Sequence, residues 1–291
     1  MKTFILILLS TLTLLGAPAF ISAEALLEQL DDPNLVIIDV GSHQDYHTSH
    51  IPHARYLNIA QLCRNVEDHQ EMQSPSQLVK IMESLGITNE SYVVIYDHNK
   101  EDELLNTSYF ALALHRLGHQ QLSILNGSFE EWLFDQKGTT KIEKIKVSQY
   151  TPHENKTLLV GYNYVYQKID KVPMIDARVS KYYYGMYKSP DVYRLGHIKG
   201  SMSSFWKNSF LSDNTLAEPY ILESIYVDGM KLQKSEEIIV YGLNGYQASM
   251  NWYILSAELG FKDVKVYDAS MKEWGNVHRS PMIAYAFETH R

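Results

Sequence analysis

Cys63 is the only thiol among the 291 residues, so any chemistry that parks an atom on sulfur must run through it. A thiolate is a strong nucleophile when a cation or a helix N-terminus lowers its pKa, and Arg64 is the one cation beside it. The flanking Leu57-Asn58-Ile59-Ala60-Gln61-Leu62 suits equally a half-buried cysteine acting as a small apolar filler. A single cysteine closes no internal disulfide, so stability must come from packing. His43, His47, His50 and His53 are spaced by four, three and three. On a helix they would share a face, as a metal site requires. Pro52 instead makes the stretch read as a turn followed by a short strand, and no metal or cofactor is expected. Tyr182, Tyr183, Tyr184 and Tyr187, with Tyr193 nearby, form an aromatic cluster fit either for packing between domains or for a planar or apolar partner.

The elements that position these residues are written twice. Leu117 to Trp132 aligns with Leu259 to Trp274 at a constant offset of 142, with Leu-Gly, Ser and Glu-Trp in register. Val36-Ile37-Ile38-Asp39 answers Pro173-Met174-Ile175-Asp176, His50-Ile51 answers His197-Ile198, and Val93-Val94-Ile95-Tyr96 answers Ile238-Ile239-Val240-Tyr241. The short, continuous apolar runs suit strands buried on both faces. Stretches of helical spacing alternate with them: 76–85, 107–117, 219–230 and 247–259. Such alternation predicts an α/β chain of two domains, each a parallel central sheet flanked by helices on both faces. The polar, lysine-rich stretch between the copies predicts a domain over 20–137, a linker over 138–157 and a second domain over 158–291.

The start of the chain has Lys2, an apolar run from Phe4 to Leu15 and the small residues of Ala17-Pro18-Ala19. That pattern predicts a signal peptide over 1–19, hence an exported, periplasmic or secreted protein with no stable membrane insertion after cleavage. The alternative of an uncleaved anchor meets an apolar run short for a bilayer span. Hydrophobic content of 45%, with 12% aromatics, is enough for a sizeable core and excludes a largely disordered chain. A formal charge of -8 argues against a general nucleic-acid binder.

The Asp-Ala-Arg at 176–178, the Tyr-x-Gly at 183–185, the Gly-His-Ile-x-Gly at 196–200, the glycine-containing loop at 242–247 and the Tyr-Asp-x-Ser-x-x-Glu-Trp at 267–274 together resemble the second domain of a tandem rhodanese, the thiosulfate or 3-mercaptopyruvate sulfurtransferase family. The first copy resembles the non-catalytic first domain, with Asp97 where the loop begins. The resemblance implies a cysteine that opens a six-residue loop ahead of a helix and carries sulfur from donor to acceptor. Backbone N–H groups of such a loop form a nest, and the helix dipole adds to it. Here Gly242 occupies the nucleophile position, and no covalent carrier forms on a residue without a side chain. Leu243 and Asn244 bring no positive charge, Gln247 stands where an arginine is frequent, and Tyr182 stands where some relatives place a cation. The resemblance assigns Asp176, Arg178 and His197 to support, linking the Asp-Ala-Arg segment to the neighbouring turn. The expected site is a binding loop of Gly242, Leu243, Asn244, Gly245, Tyr246 and Gln247, taking an anion, a small sulfur compound or a protein partner. The alternatives are an active thiosulfate or 3-mercaptopyruvate sulfurtransferase using Cys63 or a non-standard site, and a purely structural or interaction module.

Overall fold

The computed structural model describes residues 16–100 and 103–285; the segment read as the body of a signal peptide, residues 1–15, lies outside the described residues. The first domain is built from β1 (Phe20–Ile21), α1 (Ala23–Leu27), β2 (Leu35–Asp39), α2 (His43–Thr48), β3 (Arg55–Tyr56), the hairpin β4 (Cys63–Val66) and β5 (His69–Met72), α3 (Pro75–Ser84), β6 (Tyr92–Tyr96), α4 (Leu104–Arg116), β7 (Leu122–Leu125) and α5 (Ser128–Asp135). Its five-stranded sheet has the order β1-β7-β6-β2-β3, every pair parallel. The second domain follows with β8 (Leu159–Val160), α6 (Tyr162–Lys168), β9 (Met174–Asp176), α7 (Ser180–Tyr183), β10 (His197–Ile198), β11 (Met202–Ser203), α8 (Pro219–Glu223), β12 (Glu237–Tyr241), α9 (Gly245–Tyr253), β13 (Asp263–Tyr267), α10 (Ser270–Trp274) and β14 (Met282–Ile283). Its main sheet has the order β11-β9-β12-β13-β8, again parallel, so each strand has a counterpart in the first domain.

The apolar runs became central strands because both faces of each sheet are covered. Val93, Val94, Ile95, Ile238, Ile239 and Val240 are fully buried. The repeat extends to single hydrogen bonds. Tyr96 Oη accepts from the Ile51 N–H at 3.1 Å, as Tyr241 Oη accepts from that of Ile198 at 3.2 Å. Tyr46 donates to the Ala54 carbonyl as Tyr183 donates to that of Ser201.

One apolar cluster runs through both domains, because α4 and α9, the helices that follow β6 and β12, are buried against each other. Ser108 and Ser249 hydroxyls meet at 2.8 Å in that seam, and the Tyr109 and Tyr246 rings stack at 4.2 Å. Both strand-to-helix turns therefore open onto one interdomain seam. The segment between the domains is pinned to the first one along much of its length. Thr139 pairs with His50, Ser148 N–H donates to the Glu83 carbonyl, and His153 and Asn155 donate to the end of α4. At the other end of the domain, Ser123 and Tyr253 hydroxyls donate to the Pro18 and Ala19 carbonyls. A chain cut to begin at Phe20 forgoes both bonds.

Candidate functional site

Between β12 and α9 lie only three residues, Gly242, Leu243 and Asn244. The sequence reading placed a six-residue loop at 242–247. The structure corrects this: Gly245, Tyr246 and Gln247 form the first turn of α9. Two packing contacts account for the early helix start. A Cβ on Gly245 would sit 1.8 Å from Asp268 Oδ1, so this close approach requires glycine. Gln247 Oε1 accepts the Leu243 N–H at 2.9 Å, which closes the turn from inside.

The remaining atoms of the turn are also engaged. Gly242 N–H donates to Ser270 Oγ at 3.1 Å, and its carbonyl accepts from the Met271 N–H. A Cβ at Gly242 would lie 2.6 Å from Gln247 Cβ and 3.1 Å from its Oε1, so the space beside the nucleophile position holds the glutamine side chain. A cavity of about 240 Å³ opens next to it, lined by Leu105 and Asn106 from α4 and by Leu243, Asn244, Tyr246 and Gln247. Among the described residues no charged side chain lines that cavity. Its polar groups are carboxamides, the Tyr246 phenol and the first-turn N–H groups of α9, which have no acceptor within the helix.

Cys63 sits closer to this site than the sequence suggested. Its Sγ is 3.2 Å from Tyr246 Oη, across the seam. Beneath that pair, Tyr109 Oη donates to Asp268 Oδ1 at 3.1 Å, and Met72 N–H donates to Oδ2 at 2.5 Å. Burial pushes the Asp268 carboxyl up to about 6, against those hydrogen bonds. Burial also raises the Cys63 pKa, the Tyr246 and Tyr109 hydroxyls lower it, and the nearby Asp268 charge raises it; the net direction is upward, away from thiolate. Arg64 does not help, because its guanidinium turns outward to Glu71 at 2.7 Å.

Asp176, Arg178 and His197 lie outside the cavity wall. Arg178 is 2% exposed and grips Asp176 with Nε at 2.9 Å and Nη2 at 2.6 Å. Its remaining donors reach Ser189 Oγ and the Gly196 carbonyl. Burial opposes the guanidinium charge, and the Asp176 carboxylate more than offsets this, holding the pKa above its ordinary value. His197 stacks on Tyr183 at 3.8 Å and bonds its carbonyl through Nδ1; burial lowers its pKa and favours the neutral ring. Tyr182 is half-buried under Lys181, and Tyr184, Tyr187 and Tyr193 are exposed; none of them lines the cavity.

The first-domain turn has other contents. Asp97 is buried, with Oδ1 accepting from Asn99 N–H at 2.6 Å and Ser128 Oγ at 2.9 Å, while its Oδ2 has no partner among the described residues. Burial pushes its carboxyl up to about 6. His98 Nε2 meets Asp39 Oδ2 at 2.7 Å, so His98 gives Asp39 a side-chain partner where Arg178 serves Asp176. Gly41, two residues beyond Asp39 as Arg178 is beyond Asp176, leaves room for that ring: a Cβ there would lie 2.6 Å from His98 Cδ2. Sequence reasoning passed over His98, Tyr109, Asp268 and Ser270 as site residues. The Asp-x-Ser within the repeated 267–274 motif was the available signal for two of them.

The histidine stretch also departs from expectation. Residues 43–48 are helical, because Ser42 caps them, its Oγ accepting from the Asp45 N–H and donating to the Asp45 carboxylate. His50 is buried between the Tyr46 and Lys141 carbonyls, and His53 faces Glu143. The four rings therefore do not converge.

Two parallel sheets, each ending in a strand-to-helix turn at its carboxyl edge and joined through the helices after those turns, define a tandem-repeat α/β protein. The chain belongs to the rhodanese-like domain family, whose model matches residues 22–135 and again 162–276. It is 26% identical over 280 residues to the sulfur carrier protein TtuD of Thermus thermophilus, covering 90% of this chain and 95% of that one. It is 29% identical over 272 residues to the thiosulfate sulfurtransferase of Rattus norvegicus, covering 87% and 89%. Among solved structures, the 3-mercaptopyruvate sulfurtransferase SseA of Escherichia coli shares the fold at a TM-score of 0.75 and 23% identity, covering 87% of this chain and 99% of that one. EanB bound to ergothioneine shares it at a TM-score of 0.80 and 19% identity, covering 93% and 71%.

Proposed function

We propose that this protein is an exported member of the sulfurtransferase family that has given up persulfide catalysis at its second-domain turn and holds a small, weakly charged sulfur compound in the seam cavity. The observation that carries this reading is the three-residue connection at Gly242, whose interior is filled by the Gln247 side chain. Sulfur transfer needs a thiolate at that point and a concave set of free donors around it. The first is absent, and the Leu243 and Gly242 N–H groups are already bonded within the protein. Among the described residues no lysine or arginine lines the cavity to give a dianion a counter-charge, and the buried Asp268 behind Gly245 opposes one further. Carboxamides suit a small polar ligand of low charge.

Calorimetric titration tests this. Thiourea, cysteine and thiosulfate would be added to the wild-type protein and to Leu243→Trp, which fills the cavity mouth. Binding of a low-charge compound that the tryptophan abolishes supports the reading. Absence of binding by all three, or binding indifferent to the tryptophan, contradicts it. Export rests on the N-terminal charge and apolar run, and periplasmic fractionation with N-terminal sequencing tests it.

A second reading, sulfur transfer through Cys63, draws on the 3.2 Å contact between its Sγ and Tyr246. It is the weaker one, because burial holds the thiol protonated. Turnover in wild type that vanishes in Cys63→Ser would favour it.

A further inference from the structure

The helix at residues 43–48 carries a feature that the sulfurtransferase reading does not use. His43 and His47 are exposed, one turn apart on α2, with their Nε2 atoms 3.0 Å from each other. Residues i and i+4 of a helix project side by side, so the capped helix itself brings the two rings together. Their orientations are held by neighbours: His43 sits edge-to-face with Tyr56 at 5.2 Å, and His47 edge-to-face with Tyr46 at 5.7 Å. Tyr46 is buried and anchored by its own bond to the Ala54 carbonyl.

We propose that His43 and His47 form a two-nitrogen binding site for a late first-row divalent ion, Cu²⁺ above all. With both rings protonated at Nδ1, both Nε2 lone pairs are free to bind one ion. Imidazole suits copper, nickel and zinc, and affinity for a given nitrogen site peaks at Cu²⁺. Spacing sharpens the choice. Two metal–nitrogen bonds of about 2.0–2.1 Å span about 2.9 Å at a right angle and about 3.3 Å at the tetrahedral angle. The observed 3.0 Å fits adjacent positions of a tetragonal ion better than a tetrahedral zinc. Among the described residues no group of three or more His, Cys, Asp or Glu side chains is arranged around a metal position, so the remaining positions fall to water or to an external ligand. The pair lies just beyond the carboxyl end of β2, the side of an α/β sheet where ligands bind.

The test is titration of the purified chain with Cu²⁺ in a non-coordinating buffer, followed by electron paramagnetic resonance. Wild type, His43→Gln, His47→Gln, the double variant and a His278→Gln control would be compared, with circular dichroism to show that each is folded. The expected result is one site with nitrogen hyperfine structure from two imidazoles, at least tenfold weaker in either single variant and unchanged in the control. Zn²⁺ should compete at least tenfold less well than Cu²⁺. Equal Cu²⁺ affinity in wild type and the folded double variant, or a spectrum that keeps both nitrogens in His47→Gln, overturns the proposal.

Discussion

The two turns that meet at the seam start from the same position of the repeat and are filled differently. In the first domain seven residues separate β6 from α4; in the second, three separate β12 from α9. The long turn opens with a buried carboxylate, Asp97, and sends His98 back to Asp39. The short turn opens with Gly242 and takes Gln247 inside, while Asp176 is paired by Arg178 from its own strand end. In both, a serine with positive φ at the start of the helix after the neighbouring strand, α5 or α10, steadies the turn: Ser128 donates to Asp97, and Ser270 accepts from Gly242. The strand-to-helix frame is thus retained twice, with Gln247 beside Gly242 in one turn and Asp97 and His98 bonded within the domain in the other.

Breaking the buried ion pairs should separate the two halves most. Arg178→Ala leaves Asp176 uncompensated in a fully buried setting and should cost about 3–5 kcal/mol of stability. His98→Ala should cost less, about 1.5–3 kcal/mol, because His98 makes one side-chain bond to Asp39 where Arg178 makes three to Asp176. Urea denaturation monitored by fluorescence measures both, and equal losses would mean the two pairs are equivalent.

The next contrast is with pH. Asp97 and Asp268 titrate near 6 in the folded chain, above the ordinary 3.8, because of burial. His98 is also raised: burial lowers it, and the Asp39 hydrogen bond and charge outweigh that. A raised folded pKa means that folding favours the protonated form. Each contribution is therefore full below the unfolded pKa and lost as pH climbs through the folded one. His115, His119 and His197, whose pKa values burial lowers, act in the opposite sense, so the Asp97 contribution is read as the difference in melting temperature between Asp97→Asn and wild type. Between about pH 4 and pH 8 Asp97→Asn should become more stabilising relative to wild type by at most about 3 kcal/mol, the equivalent of that shift. A difference that does not grow as pH rises would contradict the assignment.

A smaller effect probes the short turn directly. Gly242→Cys places a Cβ 2.6 Å from that of Gln247, a contact so close that one of the two must shift. Overpacking of this kind should cost about 1–3 kcal/mol. The new thiol should remain without cyanide–thiosulfate turnover unless the turn is also lengthened. Full turnover from the single substitution would show that the turn reopens readily.

Much of this was legible in the residues alone. The offset of 142 between repeats gave two parallel sheets, because strand burial follows from local apolar runs. The missing thiol was plain at Gly242. What escaped was decided by contacts distant in sequence. Gly245 opens a helix because Asp268, far along the chain, packs on it; Gln247 turns inward because Gly242 leaves it room. Cys63 lies under Tyr246 only because α4 and α9 bring the domains together. The helix at 43–48 was hidden by reading Pro52 as governing the whole stretch, although the Ser42 cap precedes it.

The account stands or falls on whether sulfur is ever held covalently at the seam. Incubating the wild-type chain with excess thiosulfate, then recording its intact mass and measuring thiocyanate release on adding cyanide, puts that question in one experiment. An unchanged mass with no thiocyanate above the protein-free rate is the outcome expected here. A gain of one sulfur atom, discharged by cyanide over repeated turnovers, would contradict it.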